Sequence, residues 1–366
     1  MPIAPYLHPA LLPWYDANAA DLPWRSSPTA YHTWLSEIML QQTQIETVRF
    51  YYSRFLNEYP TIADLAQASL DAVLKLWEGL GYYSRARNLH RTAKIIHEQY
   101  QGQFPSDPIE LQKLPGIGPY TAGAIASIAF DVPAAVLDGN VIRVFSRIFD
   151  IEEDVSLPAT KNKLWALAQE QVPEKRAGDY NQALMELGQK LCRPLHPDCG
   201  ACPVQGFCLS YARGNQNERP VKQKKAPVPH IDVAAGIIRN EAGLYLIAQR
   251  KAEGLLGGLW EFPGGKQEVG ESLEACLQRE LQEELAILVE VDELFIKVKH
   301  AFTHFKMSLY AYECRYIRPL APYSEPQKLD VADWEWVSEA GFHDRAFGKA
   351  DREIIKAIES RSQRLF

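Results

Sequence analysis

The hydrophobic periodicity of this chain changes once, near residue 230, and that change requires two separately built cores. Up to residue 210 the apolar positions follow helical spacing: Trp34, Ile38, Ile45 and Val48, then Leu65, Leu70, Val73, Leu74 and Trp77. Between Gly123 and Phe130 the residues are small or apolar, which suits a helix packed closely at the centre of a bundle. Asp138-Gly139-Asn140 gives a turn and start signal before a helical run over Val141–Phe149. Residues 211–230 hold Gly, Asn, Gln, Lys and prolines without an apolar period and read as a linker. Beyond it, Asp232–Arg239 and Leu244–Arg250 read as a hairpin across Asn240-Glu241-Ala242-Gly243. A glycine-rich loop (Gly254–Gly265), a helix over Ser272–Glu284, strands near Leu294–Phe302 and Met307–Tyr316 and a short helix near Asp351–Ser360 follow. The expected fold is therefore multidomain, with an all-α region over 1–210, a basic linker over 211–230 and an α+β domain over 231–366.

Composition narrows the function classes. With 46% hydrophobic and 23% charged residues in 366, each domain can bury a core, and long disorder is not expected. No apolar run approaches the ~20 residues of a membrane span, and Met1–Trp14 lacks a cationic region ahead of an apolar core, so neither membrane insertion nor secretion is expected. Six cysteines are too few for a disulfide scaffold and indicate a reducing compartment. The net charge of −7 argues against nucleic acid only until it is divided. Residues 1–230 hold 22 Lys and Arg against 23 Asp and Glu, whereas residues 231–366 hold 17 against 23. Arg213, Arg219, Lys222, Lys224 and Lys225 fall in one stretch with a single acid, Glu218. A near-neutral half can present a basic face, so DNA is allowed.

The densest chemical signal is Cys192-x6-Cys199-x2-Cys202-x5-Cys208, with Pro194, Pro197 and Pro203 stiffening the loop. Four thiolates from one loop can hold a tetrahedral Zn²⁺ or a [4Fe–4S] cluster, and residue chemistry alone does not choose between them. Leu114-Pro115-Gly116-Ile117-Gly118-Pro119-Tyr120 has the form of a helix–hairpin–helix phosphate clamp. Its glycines, Gly116 and Gly118, let the backbone approach an anion, and a new helix at Pro119 points N–H groups outward. Taken singly, Asp138 reads as an ordinary helix cap and Glu37 as a solvated helical acid.

The combination is more specific. Leu22-Pro23-Trp24-Arg25, Trp34-Leu35-Ser36-Glu37-Ile38-Met39-Leu40-Gln41-Gln42-Thr43 and Gly79-Leu80-Gly81-Tyr82-Tyr83-Ser84-Arg85-Ala86-Arg87 closely resemble the MutY family of adenine DNA glycosylases. The hairpin, Leu137-Asp138-Gly139-Asn140-Val141 and the cysteine loop match in the same order, so the resemblance covers nearly the whole chain. It implies a [4Fe–4S] cluster on the four cysteines and a monomeric, cytoplasmic, nucleoid-associated bacterial enzyme. The implied partner is double-stranded DNA with adenine opposite 8-oxoguanine or guanine.

Breaking an N-glycosidic bond calls for one neutral carboxylic acid and one carboxylate with separated pKa values. The resemblance gives Glu37 the protonation of adenine N7 and help in activating water, and Asp138 the stabilisation of the sugar cation. Tyr120 and Asn140 would position these acids. The adenine must leave the stack; Leu40, Gln42 and Tyr82 would contact or fill the opened duplex, and Arg25 and Gln182 would line the base pocket. Strand-cutting relatives of the same helix–hairpin–helix group carry a lysine where Tyr120 stands, and no lysine lies between Lys113 and Lys161, which implies base excision without strand cleavage.

Gly265-x5-Glu271-x7-Arg279-Glu280-Leu281-x-Glu283-Glu284-x-Ala286-Ile287 is a Nudix box with one glycine replaced by Ala286. It resembles the MutT oxidised-nucleotide hydrolases, and Glu280, Glu283 and Glu284 could hold Mg²⁺ if the site were active. Ala286 falls where a left-handed residue is expected, which argues against efficient nucleotide turnover. Phe302-Thr303-His304 stands where the family carries a Phe-Ser-His tip, so the domain is expected to read 8-oxoguanine. A nucleotide pyrophosphohydrolase targeted to DNA is the alternative.

Overall fold

The computed structural model describes residues 6–223 and 227–363. In chain order its helices are α1 (His8–Asn18), α2 (Ala30–Leu40), α3 (Ile45–Glu58), α4 (Ile62–Gln67), α5 (Leu70–Trp77), α6 (Ser84–Gln99), α7 (Pro108–Leu111), α8 (Pro119–Phe130), α9 (Gly139–Ile148), α10 (Pro158–Gln171), α11 (Ala177–Lys190), α12 (Leu209–Arg213), α13 (Leu273–Leu285) and α14 (Lys349–Ser362). The strands are β1 (His230–Arg239), β2 (Tyr245–Gln249), β3 (Trp260–Glu261), β4 (Gly264–Lys266), β5 (Ile287–Ala301), β6 (Lys306–Pro319) and β7 (Asp333–Val337). No helix among the described residues is long and apolar enough to cross a membrane.

The chain divides into two compact units. One holds the described residues of 1–67 and 88–225, the other those of 68–87 and 226–366. The segment 68–87, read from sequence as part of the helical region, thus groups with the second unit. Two helical runs are also shorter than their apolar spacing suggested. The run through Trp34 and Val48 breaks at Gln42, which takes φ 57°, and the run through Leu65 and Trp77 restarts at Ser69, whose side chain accepts from Ala72 N–H. Apolar spacing reports the buried face, not the continuity of the backbone.

The first unit is helical, as expected. Helix α8 is central, with Thr121 to Ser127 all buried. Gly123 permits this packing, since a Cβ there would stand 2.0 Å from the Ala135 carbonyl oxygen. Leu11, Val141, Phe145, Leu164, Tyr180 and Leu187 belong to the same core, which draws on α1, α9, α10 and α11. The described part of the expected linker is folded against this unit. Arg213 and Arg219 both pair with the side chain of Asp150, and Val155 N–H donates to Val221 O at 3.0 Å. Polar rather than apolar contacts hold it, so it carries no periodic signal, and two of its cations are already neutralised. Lys224 and Lys225 lie outside the described residues.

The second unit is a mixed sheet of order β3-β2-β1-β6-β5, with β4 on β1 and β7 on β2. The β1–β2 hairpin and the β5–β6 pair are antiparallel, and β1 runs parallel to β6 from His230↔Lys306 to Arg239↔Arg315. Strand alternation builds two cores. Ala235, Ile237, Ile247 and Leu309 face α14, whereas Ala234, Ile238, Leu246 and Cys314 face α13. Strands β3, β4 and β7 went unread in the sequence because two are too short for a period and the third, Asp-Trp-Glu-Trp-Val, is half-buried at every position but its last.

Candidate active site

Two carboxylates of the first unit meet on elements the sequence delimits well. Thr29 caps α2, accepting from His32 N–H, and α2 carries Glu37 into the interior, where the residue is only 6% exposed. The single-residue reading of Glu37 as a solvated acid is thereby corrected: seven of its helical neighbours are buried with it. From the N-terminal turn of α8, the Tyr120 hydroxyl donates to Glu37 Oε2 at 2.6 Å, and Met185 Sδ of α11 lies 3.2 Å from the same hydroxyl. Burial pushes the Glu37 carboxyl up to about 7. The Tyr120 bond opposes that rise, nearby Asp138 adds to it and Arg25 reduces it.

Asp138 is the N-cap of α9, as its place before Gly139-Asn140 suggested. Its Oδ1 accepts from Val141 N–H at 2.7 Å and its Oδ2 from the Asn140 amide at 2.8 Å. Burial raises this carboxyl as well, but the backbone and amide donors and the Arg143 guanidinium oppose the rise. Arg143 continues the chain of contacts. Its Nη2 donates to Asn140 Oδ1 at 2.9 Å and its Nε to the carbonyl of Cys192 at 2.8 Å. Sequence reading missed Arg143, although it stands on the Asp138 helix one turn from Asn140.

Arg25 closes the 3₁₀ turn Pro23–Arg25 and is held by Glu186 Oε2 at 2.8 Å, with its guanidinium 5.6 Å from the centre of the Tyr15 ring. Glu186 is 2% exposed and was also missed; it stands four residues after Gln182 on α11, so both share one helical face. Gln182 is half-buried, Leu40 ends α2 half-buried, and Gln42 is exposed just beyond it. The two glycines lie apart from the carboxylates, in the α7–α8 loop. Gly116 takes φ 76°, and a Cβ there would meet Asn88 Cβ at 2.8 Å. Gly118 has open space at that position and caps α8 without a side chain, leaving the first N–H groups of the helix uncovered by one.

The four cysteines line one cavity together with Val144, Arg147, Leu187 and Val204. All are unbridged thiols, partly buried, and Cys202 is pushed up to about 11 by burial and by the neighbouring sulfurs. Among the described residues no group of three or more His, Cys, Asp or Glu side chains closes on a single metal ion. The buried Arg147 donates to Cys192 Sγ at 3.3 Å and to the carbonyls of Arg193 and Pro194, tying the loop to α9. A cationic donor on one sulfur, four soft sulfur ligands and apolar walls fit an anionic iron–sulfur group.

In the second unit, Tyr82 and Thr303 come together. The two hydroxyl oxygens are 2.9 Å apart, Tyr82 takes φ 47° and is 47% exposed, and Arg85 lies 5.6 Å from its ring centre. Phe302 stacks on Phe305 at 4.6 Å, so Thr303 and His304 form the exposed tip between β5 and β6. The Nudix acids do not share one environment. Arg279 pairs with Glu271, Glu280 and Glu283 at 2.8, 2.9 and 3.0 Å. Glu284 instead faces Glu261, and burial plus the Glu261 and Glu280 charges push it up to about 8. Ala286 does take the expected left-handed conformation, φ 52° and ψ 44°.

Known proteins match this arrangement. Residues 35–170 match the family described as HhH-GPD superfamily base excision DNA repair protein, and residues 234–357 match the NUDIX domain. The adenine DNA glycosylase of Mus musculus is 36% identical, covering 96% of this chain and 78% of its own length, and that of Homo sapiens is 35% identical, covering 96% and 73%. A solved thermostable thymine-DNA glycosylase superposes with a TM-score of 0.52 at 29% identity, covering 56% of this chain and 94% of that one. With the motifs in order, the paired carboxylates on α2 and α9 and these relatives over nearly the whole length, the chain belongs to the MutY family of adenine DNA glycosylases.

Proposed function

We propose that the protein removes adenine mispaired with 8-oxoguanine or guanine from duplex DNA by hydrolysing its N-glycosidic bond, without cutting the strand. The observation that carries this reading is the unequal pair Glu37 and Asp138. Glu37 is buried, accepts one strong donor and stays partly protonated near neutral pH, so it can give a proton to the leaving base. Asp138 receives the Val141 N–H and the Asn140 amide, which favour its ionised form, so it can balance a developing sugar cation. Arg25 and Gln182 line the adenine pocket, Tyr120 and Asn140 orient the two acids, and Leu40 and Gln42 contact the opened duplex. Gly116 and Gly118 hold a phosphate. Cys192, Cys199, Cys202 and Cys208 would hold a [4Fe–4S] cluster, which when bound fixes the loop beside α9 with iron–thiolate bonds. The protein works as a monomer in a reducing, cytoplasmic compartment.

Residues 231–366, with Tyr82, read the lesion through Phe302, Thr303 and His304. Nucleotide turnover is not favoured at Glu280, Glu283 and Glu284, because Arg279 already occupies two of these carboxylates and the helix end at Ala286 is strained. Incubation with duplexes holding adenine opposite 8-oxoguanine, guanine and thymine tests the reading. The wild type should release adenine from the first two and leave an unbroken, alkali-labile strand. Glu37→Gln should bind but lose excision. Failure of the wild type to release adenine, or near-normal single-turnover excision by Glu37→Gln, refutes the assignment.

A further inference from the structure

The β5–β6 pair is longer than the helix that covers it, and this leaves one end of a sheet face open. The register gives the composition of that face. Lys297 lies opposite Tyr310, Lys299 opposite Ser308 and Ala301 opposite Lys306, and β1 adds His230 beside Lys306 and Asp232 beside Ser308. Directly paired residues point to the same side of a sheet, and here that side is the one whose other end, at Ile287, Tyr312 and Cys314, packs in the core with Leu277 and Leu281 of α13. The opposite side carries Val298, Met307 and Leu309 into the core beneath α14. The open end therefore presents three exposed lysines to solvent around a buried Ser308.

Among the described residues no carboxylate pairs with Lys297, Lys299 or Lys306. The acid on the face, Asp232, lies 3.4 Å from His230 Nε2, while the His230 ring also reaches Ser308 Oγ at 3.1 Å. Lys297 sits 4.3 Å from the centre of the Tyr310 ring and donates to its hydroxyl, which orders the side chain but leaves its charge in place. Residues two apart on a strand are about 7 Å apart, so Lys297 and Lys299 form a regular cationic row, with Lys306 on the next strand. The row leads to the Phe302–His304 tip: Lys299 is three residues before it and Lys306 two residues after.

We propose that this face binds the phosphodiester backbone of duplex DNA next to the nucleotide that the tip contacts, an inference that rests on the lesion-reading role assigned to the tip. Phosphate contacts by lysine carry no sequence information and serve to set register. The lysines would press any duplex strand against the sheet and present its bases to Thr303 and His304, leaving discrimination to the tip. Two signatures follow: the contribution is salt-dependent, and it is equal for damaged and undamaged DNA.

The test is a salt titration of binding with the full-length protein, using duplexes with adenine opposite 8-oxoguanine, adenine opposite guanine, and no mispair. Removing one lysine–phosphate pair should lower the slope of log K against log salt by roughly 0.9. Lys297→Ala, Lys299→Ala and Lys306→Ala together should lower it by about 2 to 3 on all three duplexes. Lys297→Arg, Lys299→Arg and Lys306→Arg together should keep the wild-type slope, and Lys356→Ala, whose ammonium pairs with Glu353 on α14, should not change it. An unchanged slope in the triple variant overturns the proposal even where adenine excision is normal. So does a reduced slope confined to the 8-oxoguanine duplex. Failure of the wild type to excise adenine would defeat the functional reading alone, because the slope on unmispaired DNA is measured independently of it.

Discussion

Tyr120→Phe separates the electrostatic role of the tyrosine from simple packing, because the substitution removes one oxygen from a buried site and keeps the ring. In the native protein the hydroxyl donates to Glu37 Oε2 at 2.6 Å, and Glu37 is pushed up to about 7. A donor favours the ionised carboxylate, so this bond holds the Glu37 pKa below the value that burial and Asp138 would otherwise impose. A hydrogen bond to a charged group contributes about 1.5–3 kcal/mol, and one pKa unit corresponds to about 1.4 kcal/mol, so its removal should raise the Glu37 pKa by about 1–2 units. As the acid, Glu37 acts in its protonated form, and excision falls as pH rises through its pKa. In Tyr120→Phe the alkaline limb of the single-turnover rate should therefore move to higher pH by about 1–2 units. The assay follows adenine release from an adenine:8-oxoguanine duplex between about pH 5.5 and 9.5, a range that brackets the expected limb, with protein saturating so that binding does not enter. A limb that stays in place, or moves to lower pH, refutes the assignment of Glu37 as the acid under Tyr120 control.

Two further outcomes test the neighbouring chemistry and the second unit. Asp138→Asn should keep the Val141 N–H bond that caps α9 but lose the Asn140 bond, because its amide nitrogen would face another amide donor, so thermal stability should fall by about 1–2 kcal/mol; excision should fall by at least about 100-fold with the fold retained, since a neutral amide cannot balance a sugar cation. A drop in stability matching the drop in activity would show a structural role alone. Ala286→Gly should stabilise the second unit by about 0.5–1 kcal/mol, because glycine takes φ 52° without a Cβ penalty. A lower urea midpoint for the second unit, followed by hydrogen exchange of the amides paired between β1 and β6, would contradict the strain assigned to that helix end.

The sequence alone determined what depends on local chemistry. The cap at Asp138, the start of α8 at Pro119 and the extent of α13 after Ser272 follow from residue types within a few positions of one another, whereas the left-handed turn at Ala286 was legible only from its place in the Nudix box, because alanine itself disfavours it. The order of motifs sufficed to connect Glu37, Tyr120 and Asp138 before any coordinates, although 83 residues separate the first two. The tertiary structure decided what depends on neighbours distant in the chain. Glu37 looked like a solvated helical acid because its own helix does not reveal that α8 and α11 bring Tyr120 and Met185 to it. Desolvation, and with it a carboxyl near 7, exists only once those helices close over it. Arg143, Arg147 and Glu186 were unreadable for the same reason, since a buried ion or hydrogen-bond partner is defined by the atoms that enclose it. Residues 68–87 joined the second unit, and the polar segment after Tyr211 docked on Asp150. Periodicity records which side of an element is apolar, but which core receives that side is fixed by packing.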